Sequence, residues 1–184
     1  MHRMLDGQGK DPNRVVRASH GYFVAPVVDK EPKLIFTCSM SDFFIAEADA
    51  WRADAWRVIK YTPWHTWQIL TKRPERILEC LPADWGTGYP NVWLGVTVEN
   101  QQSIGRIAEL LRVSASIYFI SAEPLIAEVD FIQDGKNLLD DIDWIIVGGE
   151  SGYDTGKYKY RECRVDWMRE WSMTLGATGI QEYL

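Results

Sequence analysis

The sequence has no two cysteines close enough to act together. Cys38, Cys80 and Cys163 lie 42 and 83 residues apart, a spacing that supports neither a zinc site nor a disulfide framework. Histidine is scarce: His2 and His20 fall in the opening segment and His65 at a strand entrance, so a metal triad is not expected and His65 is read as structural. Phosphate-binding loops, GxSxG turns, HExxH helices and dinucleotide fingerprints are missing. No apolar run approaches the roughly 20 residues that cross a bilayer. The start, Met1-His2-Arg3-Met4-Leu5-Asp6-Gly7, breaks before a signal-peptide core can form. These absences predict a cytoplasmic chain with no membrane association, no metal and no cofactor. Basic residues number 20 against 26 acidic ones, which disfavours a broad phosphate-binding surface.

What is present is enough for a folded core. The 184 residues suit a single domain, and 46% of them are hydrophobic against 25% charged, a balance that excludes disorder over most of the length. Nine tryptophans are scattered from Trp51 to Trp171 and are read mainly as packing residues.

After about residue 33 short apolar runs alternate with amphipathic stretches. Leu34 to Cys38, Thr66 to Leu70, Val92 to Val96, Ile117 to Ile120 and Trp144 to Val147 read as strands buried on both faces. Between them, Ala48, Trp51, Ala55, Val58 and Ile59 fall at helical spacing, as do Ile104, Ile107, Ala108 and Leu111. Met168, Trp171 and Leu175 continue the pattern, Gly176 stops it, and residues 177–183 fit a last strand. Repeated βα units predict an α/β fold with a parallel sheet. A full (β/α) TIM barrel takes about 250 residues, so the expectation is a partial TIM-like barrel over residues 1–184, with a flat doubly wound sheet as the alternative. Residues 1–33 are expected to be an irregular leader. Its apolar stretch, Tyr22 to Val28, contains Pro26, which bars it from the middle of a sheet.

Such barrels carry their chemistry at the carboxyl ends of the strands. The residues there are Asp42, then Lys72 and Arg73, then Glu99 and Asn100, then Glu123, then Glu150 and Ser151. Brought to one rim, they would form either a polar small-molecule site or the ordinary wet end of a sheet. Lys72-Arg73-Pro74 fits a phosphate or carboxylate clamp, or an exposed helix cap; as a clamp it implies an anionic or zwitterionic ligand. Glu150, after Gly148-Gly149, fits an amine or hydroxyl.

Several stretches together resemble a known family. They are residues 3–12, Ile35 to Phe44, Ile69 to Arg76, Asn91 to Asn100, Ser121 to Leu125 and Trp144 to Gly152. On these the chain is similar to an uncharacterised phage-protein family with a radical-SAM-like barrel, whose full-length members carry an upstream three-cysteine motif. That motif has no counterpart here, and neither does the first barrel strand that precedes it. The resemblance implies a truncated barrel without its iron-sulfur cluster, because three converging thiolates are needed to hold one. Gly148-Gly149-Glu150 follows a late strand, whereas the family's glycine-glycine-glutamate element follows the second, so its role is not carried over.

Two functions are then expected as alternatives. One is a phage- or prophage-derived, non-catalytic binding protein, acting on a host or phage protein such as a nucleic-acid-binding defence complex, in the manner of an anti-CRISPR inhibitor. The other is a small-molecule-binding enzyme that still uses the polar rim. No catalytic residue is assigned. With the first strand missing, Leu34 to Cys38 would leave an unpaired edge. Tyr22, Phe23, Leu34 and Phe36 are therefore the expected partner-binding residues, covered by the leader, by a second copy or by another protein.

Overall fold

A computed structural model describes residues 15–39, 41–150, 161, 163–174 and 180–182. In chain order its strands are β1 (Leu34–Phe36), β2 (Thr66–Thr71), β3 (Val92–Thr97), β4 (Ile117–Ala122), β5 (Ile132–Gln133), β6 (Lys136–Asn137), β7 (Trp144–Val147) and β8 (Ile180–Glu182). The helices are α1 (His20–Val28), α2 (Asp49–Tyr61), α3 (Ile77–Cys80), α4 (Gly105–Leu110) and α5 (Val165–Thr174). Short 3₁₀ turns, Pro74–Arg76 and Gln101–Ser103, lead into α3 and α4.

All strands except the antiparallel pair β5 and β6 join one parallel sheet in the order β1-β2-β3-β4-β7-β8. The five from β1 to β7 curl into half a barrel. A doubly wound sheet requires the strand order to reverse at a switch point. Here the order never reverses, so right-handed crossovers place the connecting helices on one face, and the flat alternative is excluded.

Strand alternation then separates two unlike faces. The register matches Ile69 with Leu94 and Leu94 with Tyr118, then Val96 with Ile120 and Ile120 with Ile145. These positions share the outer face, where Ile69, Leu94, Val96, Ile120 and Ile145 are fully buried against Trp56 and Ile59 of α2 and Ile107 and Leu110 of α4. The intervening residues line the inner, concave face. They include Leu34, Phe36, Gln68, Leu70, Trp93, Gly95, Thr97, Ile117, Phe119, Ser121, Trp144 and Ile146, and none of them joins the helix-side core. On this inner face Trp93 and Trp144 lie with ring centroids 5.0 Å apart, and the buried Phe119 ring covers Gly95.

The leader departs from expectation. Where it is described, its apolar stretch is helix α1 rather than irregular chain, and α1 packs on α2. Pro26 sits in the last turn, so it removes one internal hydrogen bond without breaking the segment. Phe23, Val24 and Val27 face Val58 and Tyr61 of α2, and Arg17 pairs with Asp54 at 2.9 Å while lying over the Phe23 ring. The carboxyl end of α1 is tied to the start of β2. Trp64 Nε1 donates to the Asp29 carbonyl at 2.9 Å, and His65 Nε2 lies 3.0 Å from the Pro26 and Asp29 carbonyls. His65 is thus buried at the amino end of the sheet. Tyr22 is exposed, and α1 adds no strand beside β1, so Leu34 and Phe36 remain exposed on an edge that has no pairing partner among the described residues. No helix among the described residues is long and apolar enough to cross a membrane.

Candidate functional site

The strand-end residues follow the alternation of the sheet and so divide into two groups. Odd and even positions point to opposite faces, which sends Thr71 and Arg73 outward and Lys72, Glu99, Glu123 and Glu150 inward.

The outward group is a fastening. Asp42, 9% exposed, accepts from Thr71 Oγ1 at 2.8 Å, Phe44 N at 2.9 Å, Lys72 N at 3.0 Å and Arg73 Nη1 at 3.0 Å. Every lone pair of this carboxylate is engaged in joining the β1 and β2 loops. Arg73, expected as half of an anion clamp, is held by Asp42. Asn100 is also committed: its Oδ1 accepts from Ser103 N at 3.2 Å and caps the turn leading to α4.

The inward group forms the mouth of the concave face. Lys72 and Arg106 both pair with Glu99, Arg106 at 2.9 Å. Burial opposes ionisation of Glu99, but these two cations outweigh it and hold the carboxyl below its usual range. Glu150 accepts from the backbone N of Arg161 at 2.9 Å and from its Nε and Nη2 at 3.1 and 2.7 Å. That fork holds the Glu150 carboxyl down at about 2. Ser151 lies outside the described residues.

Glu123 differs from its neighbours. It stands between the Glu99 and Glu150 columns, just after β4, and has no hydrogen-bond or ion-pair partner among the described residues. Desolvation by the crowded strand end pushes its carboxyl up, although its tip reaches solvent. Its Oε1 lies against Gly148 where a side chain would otherwise project. Glycine at 148 is therefore required for Glu123 to keep this position.

One layer below, Thr97 and Ser121 are paired in register on the same inner face, 3% and 4% exposed. Neither hydroxyl has a hydrogen-bond partner among the described residues. Neither oxygen is sealed from solvent, so beneath the Glu123 carboxylate the pair can accept from water or from a ligand. The Trp144 indole N–H, lower on the same face, is buried without an acceptor among the described residues.

Sequence reasoning missed Thr97, Ser121, Arg106 and Arg161. Thr97 and Ser121 are the last inward positions of their strands, and strict alternation counted back from Glu99 and Glu123 would have found them. Arg106 lies in the first turn of the helix after Glu99, where a basic side chain can fold back to the strand end. Arg161 lies 11 residues beyond Glu150 with no periodic signal.

A separate concavity of about 750 Å³ lies between α2 and the 81–89 segment on the outer side. Its charges satisfy one another: Arg76 pairs with Asp49 and Glu79, Lys60 with Asp84, and Tyr89 donates to Asp84 at 2.6 Å. The cysteines are separate too, and desolvation pushes all three thiols up, so none has the character of an activated thiolate. Among the described residues no three His, Cys, Asp or Glu side chains are grouped to hold a metal.

The sequence pattern of a family described as Protein of unknown function (DUF5131) matches residues 2–183. No curated protein and no solved structure matches the chain.

Proposed function

The chain belongs to the DUF5131 family, and from its strand-end geometry we propose that it is a small-molecule-binding half-barrel whose site is the carboxyl mouth of the concave face. The observation that carries this reading is the group formed by the Thr97 and Ser121 hydroxyls and the Glu123 carboxylate, none of which has a partner among the described residues. Lys72 with Glu99 and Arg161 with Glu150 frame that group and fix its walls.

A screen of polar fragments by ligand-observed NMR tests the reading. Hits should weaken about 5- to 150-fold in Thr97→Val/Ser121→Ala, since each lost hydrogen bond is worth about 0.5–1.5 kcal/mol. They should persist in Arg57→Ala, on the outer concavity. Hits confined to the outer concavity, or none at all, would remove the proposal.

A second reading is favoured by one observation, the exposure of Leu34 and Phe36 at 53% and 44% on an edge strand that has no pairing partner among the described residues. A phage-derived protein that inhibits a host defence complex would use such an edge to add to a partner's sheet. Phe36→Asp should then abolish capture of that partner while melting stays within about 2 °C of wild type, and unchanged capture would end this alternative.

A further inference from the structure

Resting on the mouth as a binding site, we propose that its ligand is a small ammonium-bearing molecule, with the cation on Glu123 and the Thr97 and Ser121 hydroxyls accepting from it or from a hydroxyl beside it.

The charge pattern of the inner rim selects this class. Among the described residues each cation there has a carboxylate: Lys72 and Arg106 share Glu99, and Arg161 grips Glu150. An anionic ligand would have to displace an acid that the fold holds in place. A cationic ligand meets Glu123, which has no built-in partner among the described residues. Charge-assisted hydrogen bonds are roughly twice as strong as neutral ones, so most of the discrimination would fall on this one contact.

The donor count agrees. An ammonium has three N–H donors and no acceptor, whereas carboxylate and hydroxyl oxygens accept. Glu123 and the Thr97 and Ser121 hydroxyls offer three acceptor groups on adjacent strands of one face, with Thr97 opposite Ser121 in the register. Phe119, fully buried one layer down, closes the floor. Gly148 leaves room beside Glu123, so the carboxylate reaches the ligand from the side.

The test compares three probes of similar size on the full chain: ethanolamine, ethylene glycol and glycolate. The readout is the amide shifts of Ser121, Gly148 and Gly149. Ethanolamine should shift these amides in a saturable way, at least tenfold more tightly than ethylene glycol, and Glu123→Gln should remove that preference. Gly148→Ala, which displaces the carboxylate, should weaken ethanolamine similarly. Melting of Glu123→Gln should match or exceed wild type at pH 7, because the variant removes an ionisation that the fold disfavours; this control separates lost binding from lost fold. If ethylene glycol or glycolate shifts the same amides as strongly as ethanolamine, or if Glu123→Gln leaves ethanolamine unchanged, the ammonium assignment is wrong while the mouth stands as a site. If none of the three shifts them, the assignment is overturned together with the reading beneath it.

Discussion

Asp42→Ala should cost the fold about 3–5 kcal/mol, because it leaves a hydroxyl and two backbone N–H groups without their acceptor at roughly 1–3 kcal/mol each. Asp42 is 9% exposed and satisfies four donors: a hydroxyl, two backbone N–H groups and a guanidinium. Alanine leaves Thr71 Oγ1, Phe44 N and Lys72 N without their acceptor and strips the Arg73 charge of its counterion. Each orphaned donor carries its own desolvation cost. In a domain of this size 1 kcal/mol corresponds to about 2–4 °C, so the melting midpoint should fall by roughly 10 °C. Asp42→Asn keeps one acceptor oxygen and should lose about half as much. Urea unfolding monitored by tryptophan fluorescence measures both. A midpoint for Asp42→Ala within a degree of wild type would mean that the carboxylate is not a fastening and belongs with the ligand-binding group after all.

The same residue shows what the sequence could and could not convey. Asp42 reads as a strand-end acid like Glu99, Glu123 or Glu150, because in each case a polar residue follows an apolar run. The difference is parity and reach. Lys72 and Glu99 continue the inward alternation of β2 and β3, whereas Asp42 follows a loop from the edge strand and turns to the outward Thr71 and Arg73. No local pattern reports that, since the partners are about 30 residues away along the chain. The strands themselves were legible. All five apolar runs became parallel strands, with ends displaced by at most two residues, because strands buried on both faces leave a continuous apolar signature. The order of those strands, which decides half-barrel against doubly wound sheet, is a non-local property and had to come from the structure.

Two local errors have physical causes. The segment from Tyr22 to Val28 reads as irregular chain that Pro26 bars from the middle of a sheet; it is a helix instead, and the Pro26 ring falls in its last turn, where few bonds remain to be lost. Packing against α2 and the tie from Trp64 to the Asp29 carbonyl then make a helix more favourable than an extended edge. The hairpin β5–β6 was overlooked although its signal is present. Asp134-Gly135 is the dipeptide that favours a two-residue turn, and both residues have positive φ, 52° and 75°. The alternation flanking it is only two residues long on each side and is too short to register as strand.

The inner face itself depends on a close contact between Gly95 and Phe119, and Gly95→Val should reveal it. A Cβ at 95 would lie 2.5–2.6 Å from three atoms of the Phe119 ring, a distance at which something must move. Phe119 is fully buried and its ring has the Gly95 backbone beneath it, so it can yield only by leaving its place in the floor. Overpacking of this kind costs typically 1–3 kcal/mol, and the valine, with two further methyl groups, should reach the top of that range. Phe119→Ala alone should cost about 3–5 kcal/mol through the cavity it leaves. The two losses should not add. Once the ring is gone, a valine at 95 fills part of the space, and a double-mutant cycle should show a favourable coupling of about 1–3 kcal/mol. The variants also separate floor from rim, because the ion pairs of Lys72 with Glu99 and of Arg161 with Glu150 do not touch either residue. Ligand binding at the mouth should weaken in Gly95→Val while those pairs persist. A coupling near zero would show that the ring has a second resting place, and the concave face would then lack the fixed floor on which the site depends.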